Sequence, residues 1–117
     1  MDALNQSLLA AFIRRLAEIF VERHPLKFGE RGTAGAEEFI RKKLPLARKY
    51  GIHSERAVAM FLYFLLVEGE DFESRPDTAW AVEVLTDSSE PDSDARVQLL
   101  ISRMEAYAAA SAPAATS

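Results

Sequence analysis

Five carboxylates crowd one short stretch of this chain. In LVEGEDFESRPDTAW, Glu68, Glu70, Asp71 and Glu73 fall within six positions, Asp77 follows, and the only tryptophan, Trp80, closes the stretch. Acids so close together could hold a hard cation, act as a general acid and base, or form the polar joint between two helices. A calcium loop needs oxygens at alternate positions, a glycine at the sharp turn and a distal glutamate. Here Gly69 precedes most of the acids, and the distal glutamate is missing. A glycosidase-type pair needs one carboxyl with a raised pKa facing one with an ordinary pKa across a cleft, which spacing alone does not specify. The joint is the simplest reading: Gly69 stops a helix, Phe72 turns back into the core, and the acids stay in water. Yet acids at the negative end of a helix are mildly unfavourable, which points to a role other than local stability. Glu70, Asp71, Phe72 and Glu73, with Trp80, are therefore expected to contribute to a partner-docking surface.

Other chemistry finds little support. The chain has no cysteine, so disulfides, thiolate metal sites and cysteine nucleophiles are excluded. His24 and His53 lie far apart, without metal-ligand spacing. A glycine-rich phosphate loop, a GxSxG elbow and an HExxH motif are all missing from the sequence. The expectation is a protein that is not an enzyme and carries no metal and no cofactor. The basic run RKKLPLARK, followed by YGIHSERAVAMF, imitates a helix-turn-helix. A recognition helix must offer polar side chains to base edges, and AVAMFLYFLLV offers none, so nucleic acid is not expected as a partner. The run reads instead as a solvated face or a patch for an acidic partner.

Hydrophobic periodicity supplies the elements that must position these residues. Leu4, Leu8, Phe12, Leu16 and Phe20 recur at i+4, flanked by Leu9, Ile13 and Ile19, and predict an amphipathic first helix that Pro25 ends near Arg23. Thr33 is the expected cap of a second helix burying Ala36, Phe39, Ile40 and Leu44, with a kink or break at Pro45 and a stop at Gly51. Ser54 then caps a third helix, whose Ala57 to Val67 segment contains no charge and is expected to be buried all round. Pro76 opens a short fourth helix carrying Trp80, Ala81, Val84 and Leu85. Ser89 and Asp92 resemble a capping box before a fifth helix with Val97, Leu100, Ile101, Met104 and Tyr107 on one face. The predicted fold is all-α: a single compact domain, residues 1–108, of about five helices packed around the apolar third. The Ala/Ser/Pro tail, residues 109–117, is expected to be disordered.

The length suits one domain. The N-terminus lacks the order of a signal peptide, and the longest apolar run is far short of the ~20 residues a membrane span needs. A cytoplasmic protein with no membrane partner is expected. Charge is unevenly distributed: residues 1–53 carry ten Lys/Arg and six Asp/Glu, a net +4, whereas residues 54–117 carry four Arg and twelve Asp/Glu, a net −8. The acidic half disfavours nucleic acid, whose phosphates require a basic face.

From Tyr50 onward the sequence resembles a family of small helical co-chaperones encoded beside type VI secretion genes, the co-TecT type. The resemblance rests on Tyr50-Gly51-Ile52, Ser54-Glu55 before an apolar helix, Gly69, Asp71-Phe72, Trp80-Ala81, and Arg96 near the start of a later helix. It covers about half the chain. Where the family pattern would have Gly-Pro-Asp-Phe, this chain has Gly69-Glu70-Asp71-Phe72. The resemblance implies a cytoplasmic binding protein of a Gram-negative bacterium. It would engage the adaptor chaperone of a type VI secretion effector, and possibly the effector itself, to regulate loading of the toxin onto the spike. The alternative is an immunity protein whose acidic surface enters and inhibits a toxin's active site, which would suit a nuclease target.

Overall fold

The computed structural model describes the backbone of residues 3–111 and the side chains of residues 7–110. The protein is all-α, with no strand among the described residues. Helices α1 (Ala3–Arg23), α2 (Pro25–Phe28) and α3 (Gly32–Lys49) are followed by α4 (Glu55–Glu68), α5 (Ala79–Leu85) and α6 (Ser93–Ser111). Short 3-10 turns at Gly29–Arg31, Phe72–Ser74 and Pro76–Thr78 complete the order. The chain divides into two compact units, Met1–Lys49 and Tyr50–Ser117.

In the first unit α1 packs along α3. Phe12, Ile13, Leu16, Ala17 and Phe20 are buried, but Leu8 and Ile19, placed in the apolar stripe by spacing, are 57% and 45% exposed. The stripe is narrower than the sequence suggests, and the side chain of Leu4 lies outside the described residues. Between α1 and α3 lie the single turn α2 and a 3-10 turn, with Gly29 and Gly32 at φ 56° and 53°. Thr33 sits inside the first turn of α3 rather than capping it. Pro45 neither breaks nor ends α3, which runs through to Lys49. An interior proline costs ~3 kcal/mol, but Ala36, Ile40, Leu44 and Ala47 are buried on both sides of it, and packing of that face outweighs the lost hydrogen bond. Phe39 is half-buried and meets Phe28 edge to face, with centroids 6.1 Å apart.

In the second unit α4 packs on α6, and α6 on α5. Gly51, at φ 73°, turns the chain after α3, and Ser54 caps α4 by accepting the Ala57 N–H at 3.1 Å. The Ser54 hydroxyl also donates to both carboxylate oxygens of Asp94, at 3.0 and 2.9 Å. One hydroxyl thereby caps α4 and ties it to the start of α6. Ala57, Val58, Phe61, Leu62, Phe64, Leu65 and Leu66 are buried, whereas Val67 is 44% exposed and Met60 and Tyr63 are half-buried. The charge-free segment of α4, Ala57 to Val67, thus keeps a strip at the surface instead of being buried all round.

The start of α6 also departs from the sequence reading. Asp92, not Ser89, is the capping residue: its carbonyl accepts the Arg96 N–H and its side chain accepts the Asp94 N–H at 3.0 Å. Ser89 turns instead to Asp87, donating both its N–H and its hydroxyl to one carboxylate oxygen. Val97, Leu100 and Met104 are buried. The helix runs to Ser111, so residues 109–111 continue it, and the rest of the expected tail lies outside the described residues.

Candidate functional site

The acidic stretch lies between α4 and α5, and its conformation begins at Gly69. Gly69 adopts φ 109° and ψ 151°, a region open essentially to glycine alone, while its N–H closes α4 on the Leu65 carbonyl at 2.9 Å. A Cβ there would lie 2.8 Å from Arg75 Nη1 and 3.0 Å from Asp71 Oδ1. Glycine therefore also makes room for the ion pair that organises the joint.

That pair centres on Arg75. Its guanidinium donates to Asp71 Oδ1 at 3.0 Å and to Asp77 Oδ1 at 3.2 Å, and lies 3.8 Å from Glu68. One cation thus gathers three of the five carboxylates in a fork that a lysine could not reproduce. Glu73 has a different partner: the Tyr50 phenol donates to its Oε2. Burial pushes the Tyr50 phenol well above its ordinary range, and the Glu73 carboxylate adds to the shift because it favours the proton-bearing form. The placement of these acids is thereby explained in large part by local interactions, which removes part of the reason for assigning them another role.

Beneath the acids runs a chain of aromatic contacts. Phe72 is fully buried and meets Tyr50, Phe61 and Phe64 at centroid distances of 6.5, 6.2 and 5.2 Å. Phe64 meets Trp80 at 6.1 Å, and Trp80 meets Tyr107 edge to face at 5.0 Å. The buried Thr78 hydroxyl donates to the Phe72 carbonyl at 2.7 Å, which fixes the turn that aims Phe72 inward. Phe72 therefore holds the connection in place and presents no surface of its own.

The structure brings Glu70, Asp71 and Glu73 to the exposed side of this connection. Trp80 is half-buried and lies beside Tyr107, which is 49% exposed. Together with Glu68, Asp77 and Ala108, these two rings line a shallow depression. The sequence assigns Arg75, Tyr50 and Tyr107 no part in the site. Arg75 left a signal, as the lone cation among five acids, four residues after Asp71 and two before Asp77. The Tyr50–Glu73 contact spans 23 positions and left none.

Among the described residues, no group of three His, Asp or Glu side chains converges as a metal-ligand set. No described helix is long and apolar enough to cross a membrane. The charge division falls at the boundary between the units: residues 1–49 are net +4 and residues 50–117 net −8. No protein-family model, no curated protein and no solved structure matches the chain.

Proposed function

We propose that the protein is a non-enzymatic cytoplasmic binding protein, a co-chaperone that engages the adaptor chaperone of a type VI secretion effector and regulates loading of the toxin. The observation that carries the reading is the α4–α5 connection: exposed carboxylates beside a half-buried tryptophan, on a backbone held by Arg75, Thr78 and Phe72. A rigid acidic ledge next to aromatic surface suits docking of a basic protein surface. Ordering costs are already met in the free protein, and charge steers the encounter.

The sequence resemblance supports the same reading. The residues that carry it are mostly structural posts of the second unit. Gly51 turns the chain, Ser54 caps α4, Gly69 makes room for Arg75, and Phe72 fills the core. Arg96 ties Tyr50 to the α5–α6 connection by donating to the Tyr50 carbonyl at 3.4 Å and the Glu90 carbonyl at 2.6 Å. Of the motif residues, Glu55 and Asp71 are exposed, and the half-buried Trp80 lines the surface depression, so these three offer surface to a partner.

Copurification with the products of neighbouring genes tests the proposal. The expected result is stoichiometric capture of an adaptor chaperone with no effect on toxin activity. Capture and silencing of the toxin itself, without adaptor binding, would establish the immunity-protein alternative.

A further inference from the structure

The depression between α5 and α6 joins two kinds of chemistry at one place. Its aromatic wall is Trp80 and Tyr107, with ring planes 72° apart and centroids 5.0 Å apart, so the two rings form a corner. Its acidic rim is Glu68 and Asp77, and its remaining lining residue, Ala108, is small. The side chain of Asp77 is 72% exposed although one of its oxygens already accepts from Arg75. A ring face attracts a cation through its quadrupole, most strongly at tryptophan, and a carboxylate beside it adds direct attraction. Arg75 already engages Glu68 Oε2 at 3.8 Å and Asp77 Oδ1 at 3.2 Å, so a further donor would meet the remaining carboxylate oxygen of the exposed Asp77 side chain. After Arg75 is counted, Glu68, Asp71 and Asp77 still leave excess negative charge here, within a unit that is net −8.

We infer that this depression is a cradle for an arginine side chain on an exposed basic segment of a partner protein. The guanidinium plane stacks on the Trp80–Tyr107 corner while its N–H groups reach the open side of Asp77. Arginine fits better than lysine because it is planar, stacks on aromatic faces, gives up hydration more readily and donates in a fork. The inference rests on the reading of the protein as a docking module and names the chemistry of the partner group.

Trp80 is the only tryptophan, so its fluorescence reports the site directly. A tetra-arginine amide titrated into the full-length protein at low salt should change that fluorescence saturably. Tyr107→Ala should weaken the binding about two- to fivefold, the range expected for an exposed cation–π contact. Asp77→Asn should weaken it comparably, whereas Tyr107→Phe, which keeps the ring, and Glu90→Gln, on the α5–α6 connection, should leave it unchanged. Tetra-lysine should bind more weakly than tetra-arginine. Equal binding of the two peptides, equal losses with Glu90→Gln and Asp77→Asn, or no saturable change would overturn the assignment. Because the peptide assay requires no adaptor, a failed cradle and a failed co-chaperone reading give separate results.

Discussion

Tyr50 donates its phenolic hydrogen to Glu73 across 23 positions of sequence, joining the turn before α4 to the acidic connection after it. The same phenol ring lies 6.1 Å from Phe61 and 6.5 Å from Phe72, so one side chain links the core to the charged ledge above it. The first prediction concerns this pair. Tyr50→Phe keeps the ring contacts and should cost about 1 kcal/mol at neutral pH, the net worth of one hydrogen bond.

The pH dependence is more telling. The folded state raises the Tyr50 pKa above its ordinary 10.0, so this contribution to stability is fully present below that value. It is lost as pH rises from there through the folded value, because a phenolate would sit buried beside Glu73. Thermal melts from about pH 9 to about pH 12 should therefore fall more steeply for the parent than for Tyr50→Phe. Parallel curves would mean that the phenol is not held in this bond in solution.

The second prediction concerns the core under the ledge. Phe61 and Phe72 are fully buried and Leu65 nearly so. Replacing Leu65 with alanine should destabilise by roughly 2–5 kcal/mol, and Phe61→Ala or Phe72→Ala by roughly 3–5 kcal/mol. Chemical denaturation measures each. A loss below about half a kcal/mol, the range of neutral surface changes, would place the residue outside the core.

The third prediction separates the charge of Arg75 from its geometry. Arg75→Met leaves Glu68, Asp71 and Asp77 without their common cation and should cost about 1 kcal/mol, as expected for a partly exposed ion-pair network. The loss should shrink in high salt, which screens repulsion among the carboxylates. Arg75→Lys keeps the charge but not the fork and should fall between the parent and Arg75→Met. Melting curves at two salt concentrations distinguish the three proteins. Salt-independent losses would assign Arg75 a packing role instead.

What was legible in the sequence was mostly local. Ser54 before an apolar run, Gly51 and Gly69 at helix ends, and the period of Val97, Leu100 and Met104 each state their structure within one or two turns. Failures arose where tertiary packing outranks a local rule. Pro45 should kink or break a helix by local chemistry, yet the buried face of α3 carries the helix through it unbroken. Ser89 had a capping-box partner by spacing, but Asp92 could cap from the adjoining position and Ser89 bonded to Asp87. Leu8 and Ile19 had the right period but lie at the edge of the buried stripe. At the candidate site the acids were visible and their partners less so, because the Tyr50 contact depends on how distant segments fold together.

The last prediction uses those partners to choose an informative charge reversal. Glu70 and Glu73 are both exposed and close in sequence, so as solvated charges they would be interchangeable. Glu73 accepts the Tyr50 hydrogen bond, so its replacement disturbs folding as well as docking. Glu73→Lys should lower the melting temperature by several degrees, as loss of about 1 kcal/mol does in a small domain. Glu70→Lys, a substitution at an exposed position, is expected to leave it within a few degrees. If the ledge docks a basic adaptor surface, Glu70→Lys should nevertheless weaken binding, chiefly through a slower association rate with a shallower dependence on salt. Stopped-flow mixing at low and moderate salt measures the rate, and titration calorimetry the affinity. Unchanged binding by a well-folded Glu70→Lys protein would remove this residue from the docking surface.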